Sequence, residues 1–331
     1  MEKKRLPPIN SDIFFYPQEQ PGYLRITGPD RQAFLQRQTT NDIDRLSAEK
    51  ALVTVLTSPT GRILDVLSVI EDDEVLYVLT LPQQGENTYS FLRSRIFFKD
   101  KVSISEISQE ICQVDLLGPG VGIFLQELGA TQPVLEKGAF PFQIAGNSVW
   151  VLKYESLGNR LLVGREMWPA VLTELQEKGA KALSTESYQV MRVESGLPAP
   201  GHELSEDYSP LETGLQWAVA ENKGCYTGQE VLARQINYDK ITRSLVGLLM
   251  EEVPSIGDQV YIPDSNQPQG QITSIAESRR FGPIALAVIK RPHHLPGNNL
   301  IIQSGDKNVS SQTVALPFQE SVFPLEQSSS R

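Results

Sequence analysis

Histidine and cysteine are nearly absent from this chain of 331 residues, which holds three of the first and two of the second. His202, His293 and His294 offer no metal-ligand spacing, and the pair beside Pro292 reads as a turn. Cys112 and Cys225 lie far apart, so they supply neither a disulfide framework nor a CxxC metal pair, and the usage fits a reducing compartment. Basic charge is also short, with 30 Lys and Arg against 40 Asp and Glu and a net charge of -10. That balance argues against a surface built for nucleic acid. No apolar run approaches a membrane span. The first ten residues carry Lys3, Lys4 and Arg5, then Pro7 and Pro8, with no apolar core of a secretory signal. Glu2, Asp12 and a single arginine speak against an organellar transit peptide. The expectation is a cytoplasmic protein with no membrane partner and no strong nucleic-acid binding. No internal repeat of fixed period is visible.

What is present reads as α+β. After a Pro-rich lead to Pro21, a strand is expected at 23–27 and a helix at 29–37. Strands at 51–57 and 62–70 are joined by Ser58-Pro59-Thr60-Gly61, whose Pro and Gly suit a hairpin turn. A strand at 74–80, a helix over 86–98 and a strand at 102–104 complete one mixed block. A second block holds strands near 111–117, 148–154 and 160–163, with helices near 121–128, 166–178 and 186–195. From Arg243 onward only short strands separated by Gly, Pro, Asn and Asp turns are seen, which suggests a small barrel or sandwich. The chain thus divides into 1–110, 111–242 and 243–331, with a polar tail from Gln319.

Three constellations could carry chemistry. The run Lys223-Gly224-Cys225-Tyr226-Thr227-Gly228-Gln229-Glu230 places a cysteine ahead of a helix expected over 228–236, with Thr227 and Glu230 spaced as a capping box. A helix N-terminus and the nearby Lys223 cation favour a thiolate at Cys225. An inert buried cysteine in a glycine-flanked turn is the alternative. Asp65 interrupts an otherwise apolar face formed with Ile63, Leu67 and Val69, so it must pair or serve a ligand. Arg192 and Glu194 stand two apart near a helix end and do not share a face, so a loop or ligand must satisfy at least one. Both could instead lie on a solvated helix terminus.

The residues Lys-Gly-Cys-aromatic-x-Gly-Gln-Glu resemble the signature of the YgfZ family, folate-binding relatives of the glycine cleavage T-protein linked to iron-sulfur clusters. The stretch Pro59 to Leu67 resembles the T-protein turn that carries an aspartate beside the reacting nitrogens of tetrahydrofolate, with Val66 where a second aspartate would stand. Arg192-x-Glu194-x-Gly196, followed by Pro210-x-Glu212-x-x-Leu215-x-Trp217, is similar to the core motif of that superfamily, whose glutamate contacts the pterin. Thr40-Asn41-Asp42 and Gly270 to Ser274 match in the same order along the chain. The resemblance implies two ferredoxin-like α+β domains and a C-terminal β-barrel arranged as a ring, with tetrahydrofolate or a derivative bound. Its folate-binding set would be Asp65, Glu194, Arg192, Thr40, Asn41 and Lys223, with Cys225 and Asp65 as the chemically working groups. Iron-sulfur client or assembly proteins would be the partners, and no metal site is implied in the chain itself. Arg93, Arg95 and Lys99 could meet a folate glutamate tail, or form a solvated helix face. Two departures set the chain apart from true aminomethyltransferases: no Gly-Trp motif precedes Tyr23, and Cys225 stands where they carry an aspartate.

Overall fold

The structure is a computed structural model that describes residues 13–46, 51–118, 120–130, 138–154 and 158–319. The lead before residue 13 and the tail beyond residue 319 lie outside these described residues. The chain divides into two compact units, Met1–Tyr188 with Leu204–Lys240, and Gln189–Glu203 with Ile241–Arg331.

The strands of the first unit are β1 (Phe14–Pro17), β2 (Gly22–Thr27), β3 (Ala51–Thr57), β4 (Ile63–Asp72), β5 (Val75–Thr80), β6 (Ser103–Glu106), β7 (Ile111–Leu117), β8 (Gly138–Ile144), β9 (Asn147–Tyr154), β10 (Gly158–Gly164) and β11 (Lys181–Ala182). Its helices are α1 (Arg31–Gln38), α2 (Gly85–Arg93), α3 (Val121–Glu127) and α4 (Trp168–Glu177). Then come α5 (Thr185–Glu194), within which the unit boundary falls, and α6 (Gln229–Asn237).

These elements form two sheets by one chain path. The first sheet has the order β3-β4-β5-β2-β6, and the second β8-β9-β10-β7-β1-β11. Each runs strand, helix, three-stranded meander, helix, strand, so the topology is duplicated although the sequence shows no repeat. Three strands stand between the helices where a ferredoxin-like βαββαβ unit has two. The second sheet also takes in β1, antiparallel to β7 and parallel to β11. That strand comes from the lead segment in which the sequence reading placed no element.

Helices cover one face of each sheet, α1 and α2 over Leu67 and Val69, α3 and α4 over Val114 and Val163. The opposite faces share one apolar cluster, in which Val53, Val55, Ile63 and Val66 join Ala139, Leu152 and Leu162. Strand β3 is buried along all seven residues, as a strand covered on both faces must be, and its Ala-Leu-Val-Thr-Val-Leu-Thr composition follows.

Three expectations need correction. The helix after Gly85 ends at Arg93, not at Phe98, because the Asp100 carboxylate accepts from the Phe97 amide at 3.0 Å and pairs with Arg37, which folds 94–100 into turns. Strand β8 was missed. It is joined to β9 by Ala145-Gly146, left-handed at both positions with φ of 50° and 74°, a hairpin turn usually announced by Asn or Asp. Finally, a bulge in the β3–β4 pairing skips Leu64, so Ile63 turns to the inner cluster and leaves the Asp65 face.

The second unit is built on a closed barrel of β12 (Arg243–Met250), β13 (Gln259–Tyr261), β14 (Gly270–Ser278), β15 (Gly282–Lys290), β16 (Asn299–Ser304) and β17 (Lys307–Val314). Their order is β12-β15-β14-β13-β16-β17. Val246, Leu248, Ile272 and Ile302 fill it, and Val193 of α5 packs outside on Ile284, Leu286 and Phe318. Among the described residues no helix is long and apolar enough to cross a membrane.

Candidate functional site

The run Lys223 to Glu230 is anchored almost everywhere except at its cysteine. Lys223 sends its Nζ into the loop after α1, donating to the carbonyls of Gln36 at 2.9 Å, Thr39 at 2.7 Å and Asn41 at 2.5 Å. Three carbonyls take the three N–H bonds that only the charged ammonium offers, and they include the free C-terminal end of α1. Burial pulls the Lys223 pKa down to about 8, opposed by Asp42 and Asp44. The cation expected beside Cys225 is therefore committed to this loop. Tyr226 is buried, and burial pushes its hydroxyl up to about 12. Thr57 donates from its hydroxyl to the Thr227 carbonyl at 2.6 Å.

The capping box does not form. The N-cap of α6 is Gly228, left-handed at φ 85° with no side-chain cap, and Glu230 pairs instead with Arg234 at 2.9 Å. A Cβ on Gly228 would meet the Ser58 carbonyl oxygen at 2.6 Å, so glycine is required both for the turn and for its close approach to the β3–β4 hairpin.

Cys225, held between these anchors, is a free and exposed thiol. It lines an open groove of about 420 Å³ together with Arg37, Gln38, Arg95, Phe97, Tyr226 and Thr227. The buried-cysteine alternative is thereby excluded. Cys112 differs, being half-buried, with burial pushing its thiol pKa up. Of the groove residues outside the run, Arg95 belonged to the basic stretch singled out in the sequence. Arg37, Gln38 and Phe97 had no signal of their own.

Asp65 lies 1 % exposed beneath α2. Its Oδ1 accepts from the amides of Val66 at 2.8 Å and Leu81 at 3.0 Å, and its Oδ2 from the Thr88 hydroxyl at 2.5 Å. Burial nevertheless raises its pKa to about 7, against the lowering effect of those three donors. Thr40 and Asn41 are likewise enclosed. The Thr40 hydroxyl donates to Ala218 O at 2.7 Å and accepts from Val55 N, tying β3 to the segment at 216–220. The Asn41 side chain donates to Val53 O at 2.7 Å and accepts from Asp42 N.

Arg192 and Glu194 belong to the second unit. Arg192 is buried, not solvated: Nε donates to Gln189, Nη1 to Leu197 O at 2.9 Å and Nη2 to Ser274 Oγ at 3.0 Å, with Glu203 at 3.7 Å. Glu194 is partly exposed, accepting from Ser278 Oγ at 2.5 Å, with its other oxygen 3.9 Å from Arg280. The structure therefore gathers Lys223, Thr40, Asn41 and Cys225 around the loop after α1, and keeps Asp65 on a different strand of that unit. Among the described residues no cluster of His, Cys, Asp and Glu could hold a metal ion.

Two family profiles match the chain. The GCVT N-terminal domain matches residues 17–153 and 159–223, and the glycine cleavage T-protein C-terminal barrel domain matches residues 243–319. A chloroplastic protein of Arabidopsis thaliana, named only as a candidate transferase, is 28% identical over 90% of this chain and 70% of its own length. An aminomethyltransferase of Prosthecochloris aestuarii is 27% identical over 90% of this chain and 85% of its own. The crystal structure of glycine cleavage system aminomethyltransferase T from Bartonella henselae superposes with a TM-score of 0.80 at 18% identity, covering 94% of this chain and 87% of that one.

Proposed function

Since the chain belongs to the glycine cleavage T-protein family, we propose that it is a folate-dependent accessory factor of the YgfZ type, which supports assembly or repair of iron-sulfur clusters in client proteins through the thiol of Cys225. The observation that carries this reading is the exposed Cys225, held in the groove wall between anchors at Lys223 and Thr227. Free cysteine is among the most buried residue types, so a loop anchored on both sides that presents one to solvent favours a working thiol.

Tetrahydrofolate, when bound, supplies paired nitrogens that carry a one-carbon unit. Glu194 fits such a ligand, because its partly exposed carboxylate keeps lone pairs beyond the Ser278 bond for adjacent N–H donors. Asp65, Arg192, Thr40, Asn41 and Lys223 offer little to a ligand directly, since their polar atoms are bonded within their own units. We assign them to positioning the surrounding backbone.

Cys225→Ser tests the proposal. At an exposed position the substitution should move stability by no more than about 0.5 kcal/mol. Activity of iron-sulfur enzymes in a deletion strain carrying the variant should nevertheless fall sharply, and full complementation would end the functional-thiol reading. A second reading, folate-dependent one-carbon transfer, is favoured by aminomethyltransferase relatives aligned along 90% of the chain. Formaldehyde or methylene-tetrahydrofolate formed from a methylamine substrate would establish it.

A further inference from the structure

We infer that the groove beside Cys225 is a binding and exchange site for an anionic, peptide-like disulfide, a proposal that rests on reading Cys225 as a working thiol. The first support is Gln38. It is only 8% exposed, lines the groove, and has no side-chain hydrogen-bond partner among the described residues. The residue is largely enclosed, yet its carboxamide is not among the fully buried polar atoms, so it opens to the groove and offers there a donor and an acceptor whose complement is another amide or a carboxylate.

Charge is the second support. Arg95 is half-buried and pre-organised, its guanidinium 3.4 Å above the Phe91 ring and its Nη1 donating to Phe91 O at 3.2 Å. Arg37 pairs with Asp100 through Nη2 alone, at 3.0 Å to each carboxylate oxygen, which leaves Nη1 and Nε outside that pair. With the Arg37 charge met by Asp100, the Arg95 guanidinium is the cation that makes the groove locally positive on a chain of net charge -10. Carboxylates are the groups that such forks bind best. Phe97, 66% exposed, adds an apolar wall, and a volume of about 420 Å³ is that of a small-ligand site.

The reaction is thiol–disulfide exchange. Cys225 loses its proton to solvent, and its Sγ attacks one sulfur of the ligand. A new S–S bond forms as the ligand's own breaks, and the departing thiolate takes up a proton. The ligand disulfide is the oxidant, and one of its halves leaves as a reduced thiol.

The experiment follows mixed-disulfide formation on the full chain by mass spectrometry. The probes are oxidised glutathione (anionic), hydroxyethyl disulfide (neutral) and cystamine (cationic), each rate divided by that of a short cysteine peptide. Glutathione should be preferred over cystamine at Cys225 by about tenfold or more at low ionic strength, and salt should erode the preference. Arg95→Gln should remove most of it, read as the glutathione rate divided by the hydroxyethyl disulfide rate of the same variant, a ratio in which any change in the thiol itself cancels. Gln38→Glu, which needs no new space, should slow glutathione by about tenfold. Equal relative rates for the three probes, faster modification of Cys112, or a preference that survives both variants would overturn the inference. Alkylation of Cys225 by iodoacetamide without any charge preference would sink the ligand class and spare the functional thiol. Charge-selective exchange combined with full complementation by Cys225→Ser would do the reverse.

Discussion

Replacing Asp65 by asparagine should make the first unit less sensitive to pH and more stable at alkaline pH. Burial raises this carboxyl from its ordinary 3.8 to about 7, so the folded chain holds a proton that the unfolded chain releases earlier. Between these values the unfolded state binds fewer protons, and stability falls as pH rises. The stabilising contribution is complete below about pH 4 and lost once pH has passed about 7. Its ceiling is about 4 kcal/mol at 1.36 kcal/mol per pH unit. Relaxation around a buried charge reduces that, and a loss of about 1–3 kcal/mol is expected between pH 4.5 and 8. Asparagine reproduces the protonated acid. Its Oδ1 can accept from Val66 N and Leu81 N, which already share one oxygen, and its Nδ2 can donate to Thr88 Oγ1, where a protonated carboxyl would place its O–H. Urea midpoints of both proteins at half-unit steps from pH 4.5 to 8.5 give the test. The curves should lie close together at the acid end and separate in favour of Asp65→Asn above pH 7. A pH-independent gap, or a variant weaker than the wild type at pH 8, would mean that the three donors outweigh burial and that Asp65 is an ordinary stabilised carboxylate.

Gly228→Ala should cost about 1–3 kcal/mol, because φ 85° is strained for alanine and its Cβ meets Ser58 O. It should also change the alkylation rate of Cys225, and equal urea midpoints for variant and wild type would refute the tight approach. In the second unit Glu203→Gln should cost about 3 kcal/mol, since it removes a fully buried carboxylate that lies 3.7 Å from the Arg192 guanidinium. Thermal unfolding of the two proteins checks this, and a wild-type midpoint would show the pair to be idle. Glu194→Ala should weaken tetrahydrofolate binding by about 1–3 kcal/mol by calorimetry, and unchanged affinity would remove it from the ligand site.

Composition and local pattern in the sequence were enough to specify most of the element order, though not β1, β8 or β11, together with the hairpin at Ser58 to Gly61, the all-strand region after Arg243 and the T-protein superfamily. These are local matters: side-chain period, turn chemistry and helix propensity act over a few residues, and motifs keep their spacing along the chain. The structure alone decided what each singled-out group touches. Lys223 looked like a neighbour of Cys225, yet it caps a loop nearly two hundred positions away in sequence. Asp65 on its apolar face had either to pair within the protein or to serve a ligand, and the tertiary structure supplies three donors to it from β4, the residue after β5 and the helix above. Thr227 and Glu230 had capping-box spacing, and the close approach to Ser58 demanded a left-handed glycine at the cap instead. The groove itself joins Arg37 and Gln38 of α1, Arg95 and Phe97 beyond α2, and Cys225. Its members meet only because the sheet brings α1 and the turn after α2 together on one side. Burial, field and hydrogen-bond partners depend on such non-local neighbours, and no spacing rule along the chain contains them.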